Sequence, residues 1–345
     1  MSTAVVYVPA IAHNKPGHPE NEGRIKQILP FLDQTGVLAD TCLLEPVTAT
    51  VQQLRRVHSP ALIERVREVA STGGGALDHG DTYATPQSYD LARLAAGAAI
   101  TAVDHIMTGR AQNGFALVRP PGHHAEHNRI SGFCLFNNVA AAARQAQVVH
   151  GVKRILILDF DVHHGNGTQD IFYDDDSVMF ISTHLFLPQM FYPGTGSFEE
   201  LGNGFGHGYT VNVPLMPNVG DVGYGRIFTE LVQPLARQFK PELILVSAGY
   251  DAHWQDPLAM AGLSLSGYAH LSRLLVELAD TLTNGRILFV LEGGYQVQAL
   301  SYGILNTFFA LTGQDHIIDP LGTMPHPEQD ISHLLHQLKR HHLIY

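Results

Sequence analysis

Ile155-Leu-Ile-Leu-Asp159-Phe-Asp161-Val-His163-His164-Gly-Asn166-Gly167 is the stretch whose reading decides the fold. Ile155 to Leu158 is a short, continuous apolar run, the pattern of a strand buried on both faces of a parallel sheet. The chain then turns polar, with two carboxylates, two imidazoles and two glycines within nine residues. In an open α/β sheet, ligands bind at the carboxyl ends of strands. Asp161 and His163 lie two apart, so an extended segment points them to one side. With a third ligand from elsewhere they can hold a divalent metal. Asp and His after a strand also serve as helix caps and turn residues, and the rest of the chain has to decide between the two.

Working outward, Ala4–Val8, Phe115–Val118, Val178–Ser182, Tyr209–Val213, Leu243–Ser247 and Ile287–Leu291 are further brief apolar runs. Helical patterns cover Arg24–Leu38, Ala61–Ala70, Ser88–Thr108, an Ala-rich segment ending near His150, and Ile331–Leu338. Ala95, Ala96, Gly97, Ala98 and Ala99 predict a helix packed close against a neighbour. The alternation predicts an α/β architecture, a parallel sheet between helical layers. There is no internal repeat and no low-complexity linker, so residues 1–345 are read as a single catalytic domain with a peripheral tail from about Asp315.

Composition narrows the function classes. Of the 345 residues, 45% are hydrophobic and only 15% charged, which implies a large core and little disorder. A net charge of -11 argues against nucleic acid, whose phosphates need clustered Lys and Arg. Two cysteines, Cys42 and Cys134, do not make a disulfide framework. The N-terminal residues do not read as a secretory signal, and no apolar run approaches membrane-spanning length. The expectation is a cytoplasmic protein with no membrane partner, compatible with a homo-oligomer.

The polar residues cluster where the strands end. Asp161, His163 and Asp251 offer two carboxylates and an imidazole, leaving positions open for water and substrate as a catalytic zinc site requires. His123 and His124 are an acid/base pair titrating near neutrality. Asp159 and Asn166 are placed to orient them. Tyr295, in a glycine-flexed loop, can donate its hydroxyl to a developing oxyanion. Phe133 and Tyr192 can supply apolar walls. Adjacent histidines can equally form a capping turn, and Gly-Gly-Tyr a β-turn. Their joint occurrence points to metal-assisted amide hydrolysis.

Several long motifs in order then carry a resemblance. Arg119-Pro-Pro-Gly-His-His-Ala125, Gly132-Phe-Cys134, Asp159 to Gly167, Pro193-Gly-Thr-Gly196, Asp251 ahead of Asp256-Pro257, and Glu292-Gly-Gly-Tyr295 resemble the zinc-dependent histone deacetylase family. That family includes bacterial deacetylase-like amidohydrolases and acetylpolyamine amidohydrolases. The match runs from the His13–Asn21 loop to about Gly303. It implies an arginase-like three-layer α/β/α fold with a mostly parallel eight-stranded sheet.

By the same resemblance, Asp161, His163 and Asp251 match the ligands of one zinc ion, a set that also suits ferrous iron. His123 and His124 match the tandem catalytic histidines, Asp159 the carboxylate behind the first, and Tyr295 the catalytic tyrosine. Class I members have Asp behind the second histidine, whereas this chain has Asn166, as class II-like members do; an uncharged partner leaves His124 less basic. Gly132, Phe133, Tyr192 and Leu258 match a tunnel for the aliphatic stem of the substrate, and Asp81 a rim acceptor. Potassium is implied at Asp159, Asp161, His163, Ser182 and the Thr183 carbonyl, and at carbonyls near Phe172, Asp175, Val178 and Tyr209.

The resemblance implies an acyl-lysine protein or peptide as substrate, with small acylated amines as the alternative. Some polyamine-selective relatives carry an acidic residue where this chain has Leu258, which tells against that alternative. Ureohydrolases of the same fold use two manganese ions and an Asp-X-Asp pair; here the spot reads Asp251-Ala-His253, so a bridging carboxylate is missing. A non-catalytic acyl-lysine binder would not need the whole catalytic set.

Overall fold

The computed structural model describes residues 2–342. Ten strands occur among the described residues: β1 (Thr3–Val8), β2 (Thr41–Leu44), β3 (Gly75–Ala76), β4 (Tyr83–Ala84), β5 (Asn113–Val118), β6 (Ile155–Asp159), β7 (Val178–Leu185), β8 (Thr210–Leu215), β9 (Leu243–Ala248) and β10 (Ile287–Leu291). Eight of them form one sheet in the order β2-β1-β5-β10-β9-β6-β7-β8, every neighbouring pair parallel. β3 and β4 pair separately as a short antiparallel ribbon. The expected α/β architecture with an eight-stranded sheet is present, and the sheet is parallel throughout.

The apolar runs read as two-sided strands are two-sided. Leu156, Leu158, Ile244, Val246, Ile287 and Phe289 face one cluster with Leu271, Leu275, Leu300, Ile304 and Phe308. The intervening Ile155, Ile157, Leu243, Leu245, Leu288 and Val290 face the other, with Ala95, Ala99, Val103, Val139 and Ala143. Helices Leu265–Leu282 and Val297–Leu311 therefore cover one side, and Ser88–Met107 and Asn138–His150 the other. Among the described residues, no helix is long and apolar enough to cross a membrane.

The topology positions the site. The chain lays down β5 and β6 apart and later inserts β9 and β10 between them, making β5-β10-β9-β6 four consecutive neighbours. The loops that follow these strands carry His123-His124, Tyr295, Asp251 and Asp161-Val-His163, respectively. All four emerge on the same side.

One expected element is shorter than its pattern. In place of a helix over Arg24–Leu38, there is a single turn at Glu22–Arg24 and a helix at Ile28–Gln34. Pro30 lacks an N–H, so it fits only the first turn and fixes the start near Ile28. Arg24 is buried, with its guanidinium bonded to Glu20 and to the carbonyls of Glu292 and Gly294. The half-exposed edge strand β2 had no legible pattern.

Gly97 sits inside the helix Ser88–Met107 where it crosses the Val47–Ala49 backbone; a Cβ there would lie 2.5 Å from the Ala49 nitrogen and closer to the Val47 oxygen. Gly97→Ala should therefore destabilise by about 2 kcal/mol, although alanine is the better helix former by roughly 1 kcal/mol. Urea unfolding checks this, and an unchanged or raised midpoint would show that the backbone contact gives way.

Candidate active site

The four loops hold each other through carboxylates that accept backbone N–H groups. Glu292 Oε2 accepts from Gly122 (2.7 Å) and His123 (3.1 Å), tying the loop after β10 to the loop after β5. Asp161 Oδ2 accepts from Gly293 N–H at 2.8 Å, and Asp251 Oδ1 from Val162 N–H at 2.8 Å. Asp159 Oδ1 accepts from Asp161 N–H at 3.1 Å. Gly293 has no room for a side chain, since a Cβ would lie 2.6 Å from Asp161 Oδ2 and closer to Asp251.

These bonds aim Asp161, His163 and Asp251 at one point. Their ligand atoms all lie within 4.8 Å of one another, and among the described residues they form the one such cluster of three. His163 Nδ1 is 3.1 Å from Asp161 Oδ1 and 3.2 Å from Asp251 Oδ2. Burial, then the charge of Asp161, pushes Asp251 up to about 7. Two buried carboxylates and an imidazole converging in this way form a donor set that fits zinc or ferrous iron. His253 does not join them: it is buried, with Nδ1 accepting from Gln255 N–H at 3.1 Å. The bridging position of a dinuclear site is therefore missing in space as well as in sequence.

His123 and His124 lie beside the cluster with ring centres 3.9 Å apart. His123 Nδ1 is 3.0 Å from Asp159 Oδ2, and His124 Nδ1 is 2.7 Å from Asn166 Oδ1. Burial alone would depress His123, but the Asp161 and Asp159 carboxylates raise it to about 10. His124 has no carboxylate bonded to it; burial, then the neighbouring His123 charge, outweighs Asp161 and holds it well below its usual value. The two histidines are therefore pushed in opposite directions. The Asn166 amide Nδ2 donates in turn to Glu126 Oε1 at 2.7 Å.

A cavity of about 170 Å³ leads down to these groups, and the expected Gly132, Phe133, Tyr192, Leu258 and Asp81 all line it, together with Tyr295. Phe133 adopts a left-handed backbone (φ 67°), held by its N–H donating to Thr82 Oγ1 at 3.1 Å. Gly132 lies flat on His124, where a Cβ would be 2.6 Å from the ring Cγ. Tyr192 meets His124 edge-on at 4.9 Å. Its loop is pinned through His164 to Thr195 Oγ1 (2.8 Å) and through His184 to the Gly196 carbonyl (2.9 Å). Burial holds the Tyr295 hydroxyl well above its ordinary value, so it remains a donor.

Several contributors were not assigned from sequence. Phe191 stacks on His163 at 4.9 Å with planes 6° apart. Asp256 Oδ2 accepts from the N–H groups of Tyr295 (2.7 Å) and Gln296 (3.1 Å), fixing the Tyr295 loop. Arg24 lies over the Tyr295 ring at 4.8 Å and donates to Gly294 O. Asp256 and Glu292 fall within recognisable motifs, but their roles depend on partners far along the chain. Of the potassium positions, Asp159 and Ser182 are paired across β6 and β7, with Ser182 Oγ 2.9 Å from His184 Nδ1. Thr183 Oγ1 donates to Asp159 O at 3.3 Å. At the other set, Asp175 N–H donates to Phe172 O (3.1 Å) and Phe180 N–H to Tyr209 O (2.9 Å), while Val178 opens β7.

Comparison with known proteins gives a consistent result. The family model described as "Histone deacetylase domain" matches residues 18–311. The chain is 42% identical over 324 residues to histone deacetylase 14, chloroplastic, of Arabidopsis thaliana, covering 89% of this chain and 76% of that protein. It is 42% identical over 323 residues to a probable deacetylase of Archaeoglobus fulgidus, covering 93% and 87%. The crystal structure of the HDA15 HD domain is similar with a TM-score of 0.91 at 38% identity, over 99% of this chain and 96% of that one.

Beneath the site, buried Glu20 pairs with both Arg24 and Arg119. Burial would raise Glu20, but the two guanidinium groups hold it down at about 2, below its ordinary 4.5. A depressed carboxylate stabilises the fold above its unfolded pKa and loses that contribution as pH falls toward its folded one. Glu20→Gln should cost about 3 kcal/mol near neutrality. The gap to wild type should stay level above pH 4.5 and close as pH falls toward about 2. Denaturation across that range tests it; a gap that does not narrow would contradict the assignment.

Proposed function

The chain belongs to the histone deacetylase family, and from that premise we propose that it removes acetyl groups from lysine side chains with one zinc ion held by Asp161, His163 and Asp251. Homologues across the family are deacetylases, hydrolases of amide bonds. The observation that carries the proposal is the convergence of the three ligand atoms beside a cavity that also presents His123, His124 and Tyr295.

Zinc, when bound, supplies Lewis acidity toward the acetamide carbonyl and the water that attacks it. The protein's own groups do the rest. His124 commits Nδ1 to Asn166, which leaves Nε2 to accept the proton of the attacking water. Tyr295 donates its hydroxyl to the oxyanion that develops on the carbonyl oxygen. The histidine pair, with His123 Nδ1 held against the Asp159 carboxylate, returns a proton to the leaving amine. The products are acetate and a free lysine amine. Phe133 and Tyr192 hold the aliphatic stem and exclude water, and Asp81 at the rim accepts from a substrate N–H.

Leu258 at the cavity wall offers nothing to a distant ammonium, which favours acyl-lysine over acetylated polyamines. Potassium belongs to the same reading, at Asp159, Asp161, His163, Ser182 and the Thr183 carbonyl, and at the carbonyls of Phe172, Asp175, Val178 and Tyr209. Buried Asp159 beside the Ser182 hydroxyl is what supports the first of these sites.

Zinc-loaded protein should turn over an acetyl-lysine peptide faster than an acetylated polyamine. Tyr295→Phe should lower kcat by about 100-fold or more. Faster polyamine turnover would reverse the substrate order, and unchanged activity in the mutant would remove Tyr295 from the chemistry. Metal analysis should return one transition metal ion per chain; two tightly bound manganese ions would refute the mononuclear site.

A further inference from the structure

We propose that Glu126 is a positioning residue: its carboxylate locks the Asn166 amide in the one orientation that presents the amide oxygen, rather than the nitrogen, to His124. The inference rests on the reading of His124 as the proton acceptor.

An amide is a poor director of a histidine when it stands alone. Turned one way, its oxygen accepts from a protonated Nδ1; turned the other, its NH2 donates to a bare Nδ1. Both arrangements make one hydrogen bond, but they select opposite tautomers. Only the first leaves the lone pair on Nε2, the atom on the cavity side of His124. A carboxylate would have no such ambiguity, because it can only accept. Asn166 therefore needs a second group to break the tie.

Glu126 is that group. Its Oε1 lies 2.7 Å from Asn166 Nδ2, while Asn166 Oδ1 lies 2.7 Å from His124 Nδ1. An ionised carboxylate has no proton to give, so the NH2 must face it and the oxygen must face the imidazole. The surroundings leave little freedom. Asn166 is 7% exposed, and the Glu126 side chain 21%. The Glu126 backbone is fixed at both ends, with its N–H donating to Arg129 O (2.9 Å) and its carbonyl 2.9 Å from His58 Nδ1. Arg129 Nη1 stands 3.8 Å from Oε1, leaving the carboxylate balanced but not occupied. The acceptor that Asn166 cannot supply itself is thus set one residue further out.

The test compares Glu126→Ala and Glu126→Gln in the wild-type background and in Asn166→Asp, with kcat and KM measured on the acetyl-lysine peptide. Glu126→Ala should lower kcat about tenfold, with KM nearly unchanged. Glu126→Gln is itself an amide that can turn either way, so it should restore at most part of the loss. In Asn166→Asp the acceptor is unambiguous and sits against a like charge, so Glu126→Ala should there raise kcat or leave it alone. That difference between the two backgrounds is a coupling a merely structural role would not produce. Nitrogen NMR of histidine-labelled protein should find His124 protonated at Nδ1 in wild type, and mixed between nitrogens in Glu126→Ala and Glu126→Gln. If Glu126→Ala does not fold, Glu126→Met takes its place as a variant of similar length without an acceptor.

Wild-type kcat and tautomer in the acceptor-less variant, equal losses in the two Asn166 backgrounds, or full restoration by Gln would each overturn the proposal. A wild-type protein inactive on every acyl-lysine peptide would instead defeat the functional reading, and the tautomer measurement would still decide the role of Glu126.

Discussion

Parallel pairing is the constraint on which the rest of this molecule depends. A sheet with every strand in one direction ends all its strands on the same side, so each loop that leaves a strand end is a potential contributor to one site. Inserting β9 and β10 between β5 and β6 turns that possibility into contact, since the four loops become immediate neighbours. No loop has to reach far. Asp161 and Asp251 lie within a few residues of strand ends held in register by the ladder, Asp159 opposite Ser247.

The loops are then braced by charge rather than by apolar packing. Glu292, Asp161, Asp251 and Asp256 each accept N–H groups from a loop other than their own, so disturbing one loop loosens another. Buried acceptors of this kind are costly unless satisfied, and satisfied ones fix geometry tightly. Arg24 extends the bracing downward by donating to the Glu292 and Gly294 carbonyls while its charge is met by Glu20. The site is therefore held in place by the strand ends and by a buried ion cluster.

How much of this was legible in the sequence follows from the range of each interaction. β6, β9 and β10 were readable because burial on both faces leaves an uninterrupted apolar run, and β10 falls at Ile287–Leu291 as read. The order of the strands was not, because it depends on long crossovers that leave no local mark. Asp161 and His163 could be read from their two-residue spacing, and Asp251 from its place after a strand. Phe191 could not be told from Tyr192 by any local rule, yet one stacks on His163 and the other closes on His124. The helix over Arg24–Leu38 was over-read because periodicity outweighed Pro30, whose missing N–H sets the true start. Glu126 sits 40 positions from Asn166, and nothing in its surroundings announces the pairing.

The cavity is small as well as deep. At about 170 Å³, with Phe133 and Tyr192 both in its lining, it has room for a slender stem and its terminal group and for little else. On the proposed reading, the protein then works as a depth gauge: it tests whether a chain is thin enough and long enough to bring its tip to the bottom. The identity of whatever carries that stem is left to the surface outside the opening. Such a device suits an enzyme that meets one modification in many contexts, and it makes the rim, not the floor, the place where relatives with a common chemistry can diverge.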